Sequence, residues 1–137
     1  MSNIEFNPSL VGIKVVTTYL PSHSRPDDSE YTFAYTITIS NAGDGPVQLL
    51  SRHWIITDAD NEVQEVRGEG VVGEQPVIGP GESFRYTSGA TLTTPVGCME
   101  GSYFMVIREP MEVNPRNLPT FEVPIPAFSL HTPTALH

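Results

Sequence analysis

The stretch Tyr31-Thr-Phe-Ala-Tyr-Thr-Ile-Thr-Ile-Ser40 decides the fold. Tyr31, Phe33, Tyr35, Ile37 and Ile39 alternate with Thr32, Thr36, Thr38 and Ser40, so an extended chain turns one face to a core and the other to water. Outward from it, Val11, Ile13, Val15, Thr17 and Tyr19 share one face of a preceding strand, with Lys14 and Thr18 on the other, and residues 21–30 form a loop. Downstream, Asn41-Ala-Gly-Asp-Gly-Pro46 supplies the glycines of a reversal. Further strands are expected at about 47–57, 63–66, 83–87, 103–107 and 121–128, with a short extended piece at 75–78. Turns are expected at 58–61, 79–82 and 94–97, and a loop at 68–73. No segment holds a 3.6-residue apolar period for the length a helix needs. The reading is an all-β chain of about seven to eight antiparallel strands, an immunoglobulin-like or fibronectin type III-like β-sandwich in preference to a barrel.

At 137 residues the chain suits a single domain, 1–137, with its core at about 10–128 and a flexible tail over 129–137. Pro124 and Pro126 remove two N–H groups from the same side of the final strand, which is therefore expected at a sheet edge. Apolar residues make up 39% and charged residues 17%, too apolar a balance for a disordered chain. No apolar run has the length a bilayer requires, so no membrane insertion is expected. A net charge of −9 with no cluster of Lys and Arg argues against nucleic acid and anionic membranes, and for divalent cations or a basic protein surface. The opening residues lack a basic stretch followed by an apolar block, and Cys98 is the one cysteine, so the expected location is cytoplasmic.

Three groups of residues invite a chemical reading. Gly68-Glu-Gly-Val-Val-Gly73 has the G-x-G-x-x-G spacing with which backbone amides approach a pyrophosphate, but Glu74-Gln-Pro-Val-Ile-Gly-Pro-Gly81 cannot form the helix that completes such a site. The plainer reading of Gly68, Gly70 and Gly73 is a tight connection or bulge with positive φ, and phosphate or nucleotide binding by a backbone nest stays as an alternative. Asp58, Asp60, Glu62 and Glu69 fall at positions one, three, five and twelve of a calcium-loop register, yet Val63 stands where the sharp turn demands glycine. An acidic, solvated turn explains them as well, leaving Asp58 and Asp60 as weak metal candidates. His53 lies opposite Trp54 on its strand and reads as structural, while His23, His131 and His137 share no ligand spacing. Cys98 reads as a small packed hydrophobe, Trp54, Tyr86, Tyr103 and Phe104 as core aromatics, and Gly89 and Gly101 as bends. No nucleophile elbow, zincin helix or Walker loop is present, so no enzyme and no cofactor is expected.

Ser51-Arg-His-Trp-Ile-Ile-Thr-Asp58, Val66-Arg-Gly-Glu-Gly-Val-Val-Gly-Glu-Gln-Pro76, Pro80-Gly-Glu-Ser-Phe-Arg-Tyr-Thr-Ser-Gly89 and Thr94-Pro-Val-Gly-Cys-Met-Glu-Gly-Ser-Tyr103, in that order, closely resemble the ApaG family, also called CorD. The resemblance implies a fibronectin type III-like sandwich, found in bacteria as a free-standing protein and associated with cobalt and magnesium efflux or resistance. Related domains in eukaryotic F-box proteins and in a polymerase delta interacting protein look like protein-binding modules. The resemblance offers no catalytic residue. The expected function is therefore a non-enzymatic protein–protein interaction module with an unidentified protein partner, linked indirectly to metal efflux. A divalent cation or phosphate ligand is the alternative, and free sheet edges leave room for a homodimer.

Overall fold

The computed structural model describes residues 7–109 and 113–134. Eight strands run through it: β1 (Val11–Tyr19), β2 (Tyr31–Asn41), β3 (Val47–Asp58), β4 (Val63–Glu69), β5 (Val77–Ile78), β6 (Ser83–Leu92), β7 (Val96–Ile107) and β8 (Phe121–His131). Among the described residues the only helical turns are short 3-10 segments, and no helix is long and apolar enough to cross a membrane. One sheet has the order β1-β2-β6; the other has the order β4-β3-β7-β8, with the two-residue β5 beside the start of β3. Every pairing is antiparallel. The chain changes sheet from β2 to β3, from β5 to β6 and from β6 to β7, giving the fibronectin type III-like sandwich that the alternation in β2 implies.

The period-two pattern of β2 is realised in full. Phe33, Tyr35, Ile37 and Ile39 are buried, and the opposite face carries hydroxyl pairs to β6: Thr32 with Thr91 at 2.9 Å, Thr36 with Thr87 at 2.8 Å and Ser40 with Ser83 at 2.8 Å. Such cross-strand pairs fix register on a wet face. β8 is the edge of its sheet, as its two prolines require.

The strands differ from the sequence reading mainly at their ends. β8 continues past Phe128 to His131, with Leu130 fully buried and Thr132 nearly so; residues 129–131 belong to the last strand rather than to a tail, and Leu130 joins the core. A single apolar residue between polar neighbours is enough here, because its backbone pairs with the start of β7: Val96 faces His131 and Gly97 faces Leu130. β6 likewise runs to Leu92, β4 to Glu69, and β7 starts at Val96. His137 and residues 135–136 lie outside the described residues.

Two irregularities set which residues meet in the core. On β3 the register against β7 shifts between Leu49 and Ser51, so the inward positions change from Val47 and Leu49 to Arg52, Trp54 and Ile56. On β7 a second shift lies between Met99 and Gly101, against β8. Gly101 then sits opposite Trp54, where an added Cβ would lie 2.1 Å from the His53 carbonyl oxygen. Gly101 stands at the β7 irregularity, where a bend is expected, and also permits a close backbone approach, whereas Gly89 is an ordinary β6 residue opposite Ala34. Trp54 packs edge-on against Tyr35, Phe128 and Tyr103, with ring centroids 5.5, 5.9 and 6.4 Å away. Replacing Gly101 with Ala should cost at least about 2 kcal/mol, because the obstructing atom is backbone and cannot move aside cheaply. Urea unfolding should show a lowered midpoint at constant slope; an unchanged midpoint would mean that β3 and β7 are not this close.

Candidate binding cleft on the open flank

β1 packs over β8 and closes one side of the sandwich. On the other side β6 and β4 are both sheet edges, and two clefts open between them. The first, about 260 Å³, is lined by Ile56, Asp58, Glu62 and Val63 on one wall and Thr91, Leu92 and Thr93 on the other. The second, about 250 Å³, lies between Arg52, Trp54 and the 69–73 loop on one wall and Tyr35, Tyr86 and Ser88 on the other.

Arg52 is at the centre of the second cleft because the β3 register shift turns it inward beside Trp54. Its Nη1 donates to the carbonyl oxygens of Glu69 at 3.1 Å and Gly70 at 2.8 Å. Gly68 pairs with Arg52 across the β3–β4 ladder, and a Cβ there would lie 2.8 Å from the guanidinium carbon and both of its terminal nitrogens. Gly68 therefore seats the guanidinium. Behind it, the Tyr86 hydroxyl bonds to the Tyr103 hydroxyl in the buried core. Burial pushes the pKa of both phenols well above the usual tyrosine range, with Arg52 opposing the shift.

The glycine-rich loop is only in part the exposed connection that its spacing suggests. Gly68 belongs to β4 and has no positive φ, Gly70 is buried at φ +62°, and Gly73 is exposed at φ +81°. Gly70 N–H donates to Leu50 O, Val71 N–H to Glu74 O and Glu74 N–H to Val71 O, so these amides are already engaged within the chain. Val72 and Gly73 form the turn with φ of +45° and +81°, the signature of a type I′ reversal. A β-branched residue at positive φ is strained, and Val72 is also 53% exposed.

The acidic turn uses its carboxylates locally. Asp58 Oδ1 accepts from the backbone N–H of Asp60 at 2.8 Å and of Glu62 at 3.0 Å, and Oδ2 accepts from Thr93 Oγ1 at 3.2 Å. Asp60 and Glu62 are exposed, and Glu69 lies at the far end of β4. Among the described residues no three His, Cys, Asp or Glu side chains gather to hold a metal ion. On the outer face His53 Nε2 meets Glu65 at 2.8 Å, while Ser102 donates to Glu122. His23 is exposed, and His131 lies at the end of β8, paired with Val96 of β7. Burial, with Glu100 adding to it, pushes the Cys98 thiol pKa up, away from reactivity. Of the core aromatics, Trp54, Tyr86 and Tyr103 are buried and Phe104 only half so. Sequence reasoning missed Arg52 as a site residue; its one signal was the Leu49-Leu50 doublet, where a bulge changes strand parity.

Together these features define a fibronectin type III-like domain whose chemistry collects on one open flank. The chain belongs to the ApaG domain family, which matches residues 21–107. Protein ApaG of Ralstonia nicotianae is 54% identical over 125 residues, covering 91% of this chain and 94% of its own. Protein ApaG of Dechloromonas aromatica is 51% identical over 131 residues, covering 96% and 97%. A crystal structure named for an ApaA protein from Bordetella pertussis is 48% identical with a TM-score of 0.81, covering 91% of this chain and 95% of that one.

Two outcomes are expected here. Val72→Asn places the favoured Asn-Gly pair in the turn and should raise stability by about 1 kcal/mol, read as a higher thermal midpoint; no rise would show that the valine is not strained. Because folding raises the Tyr86 and Tyr103 pKa values above the ordinary 10.0, their contribution to stability is complete below about pH 10 and is lost as the pH climbs beyond it. In an absorbance titration both phenols should ionise only as the circular dichroism of the fold is lost. Tyr103→Phe should shrink that step, and ionisation of both tyrosines in the folded chain would contradict the burial.

Proposed function

We propose that this chain is a non-enzymatic interaction module whose partner binds the open flank between β6 and β4. The observation that carries this reading is the asymmetry of the sandwich. β1 covers β8, whereas β6 and β4 leave two edges and two clefts facing the same side. Alternate residues of an edge strand direct N–H and C=O away from the sheet, and an extended segment of another protein satisfies them by adding a strand. β4 is exposed along most of its length, including Val63 at 61%, so the flank has apolar as well as polar surface to cover. A second copy of the chain is the weaker occupant, since two chains of net charge −9 repel.

The cytoplasmic location and the link to cobalt and magnesium efflux belong to this reading. The link is then indirect, through a partner, because the Asp58 carboxylate already accepts three hydrogen bonds from its own turn and from Thr93. The test is photo-crosslinking in cells, with the reactive residue placed singly at Thr87 on β6, Arg67 on β4, and Lys14 or Thr18 on β1. Discrete adducts at Thr87 and Arg67, and none at the β1 positions, are expected. Adducts spread evenly over all four, or confined to β1, would contradict the assignment.

A further inference from the structure

We propose that the Arg52 cleft is the anchor pocket of the open flank and takes the carboxylate of an acidic side chain on an extended partner segment laid along β6. The inference rests on the interaction reading above and adds the chemistry of the partner. Arg52 is held but not neutralised. Both bonds that fix it run from Nη1 to carbonyl oxygens, and among the described residues the ion pairs involve His53, Glu65 and Arg67 instead. Among the described residues its Nε and Nη2 make no hydrogen bond, which leaves a pair of donors, the fork that grips a carboxylate with two parallel bonds. Half-buried beneath Tyr86 and Ser88, the guanidinium is less screened than a surface cation. Among the described residues Arg52 has no salt bridge, so a chain of net charge −9 presents a cation inside a cleft that Glu69 also lines.

The other cleft of the flank is lined by acidic residues and by no Lys or Arg. Asp58 and Glu62 stand on its rim, with Ile56 and Leu92 beside them. Along β6 the two clefts are marked by Ser88 and Leu92, which share the inner face with Ala90 between them. Side chains of an added strand face the groove at every second position, so the matching segment carries an acid and a base about four residues apart, with a small residue between. The distance spanned is about 13 Å. Which charge comes first sets whether the segment runs parallel or antiparallel to β6.

The test selects short random peptides against the full chain and then measures the affinity of a selected peptide alongside its counterpart with the acid changed to the amide. Enrichment of an acid and a base about four residues apart is expected, and the wild-type chain should prefer the acid over the amide by roughly tenfold or more, a difference set by one charged hydrogen-bonded pair. Arg52→Gln should abolish that preference. Gly68→Ala should do the same while leaving the fold intact, because the atoms its Cβ would displace are the far end of the Arg52 side chain. Circular dichroism of each variant confirms folding. Peptides that bind without an acid, or variants that keep the preference, would overturn the pocket while leaving the interaction reading standing. No enrichment over an unrelated protein would overturn both. Pyrophosphate alone, shifting the amides of residues 68–73 in an Arg52-dependent way with no peptide bound, would identify a small-anion site and overturn the peptide assignment.

Discussion

The close approach of β3 and β7 at Trp54 and Gly101 is the constraint on which the rest of the structure depends. Gly101 has no Cβ, so the His53 carbonyl comes to a position that any side chain would block, and Trp54 points into the core against Tyr35, Tyr103 and Phe128. That packing is reached only because β3 and β7 each carry a register shift close by. A shift of one residue turns every later side chain of a strand to the other face. Without the shift after Leu49, Trp54 would face solvent and His53 the core.

The same shift produces the site. Once Trp54 is inward, Arg52 is inward too, two residues earlier on the same face and close to the open end of the sandwich. A buried cation without partners would be costly, and the chain limits that cost in three ways. Gly68 leaves room for the guanidinium, the carbonyls of Glu69 and Gly70 accept from it, and the gap between β6 and β4 keeps its other nitrogens within reach of a ligand. The glycine-rich loop accordingly serves as the seat and clasp of Arg52. Its own amides at Gly70, Val71 and Glu74 are engaged in holding the loop's shape.

Much of the fold was legible in the sequence because alternation is a property of single strands. The β2 run, the edge position of β8 and the turn at Asp58 all follow from local chemistry: period two, missing N–H groups, and a side-chain carboxylate that caps its own turn. Strand ends were less legible. The chain 129–131 looks like a polar tail until its backbone is seen pairing with residues 96–98. The site was legible only in part. The Gly68–Gly73 spacing marked the right loop, but the residue it serves lies sixteen positions earlier and across a ladder, since Gly68 pairs with Arg52. That partnership depends on a bulge, and a bulge leaves only an apolar doublet as its trace.

Arg52 is an inward, fixed guanidinium at the mouth of the open flank, a state that can be measured on the free protein. With arginine side chains labelled for nuclear magnetic resonance, Arg52 should give resolved guanidinium signals with restricted rotation and cross-peaks to the Tyr86 ring, unlike Arg67, which is 71% exposed. Gly68→Ala should collapse those signals toward the averaged pattern of a surface arginine. An Arg52 signal that is averaged in the unaltered chain would place the side chain outside the cleft and leave the open flank without its anchor.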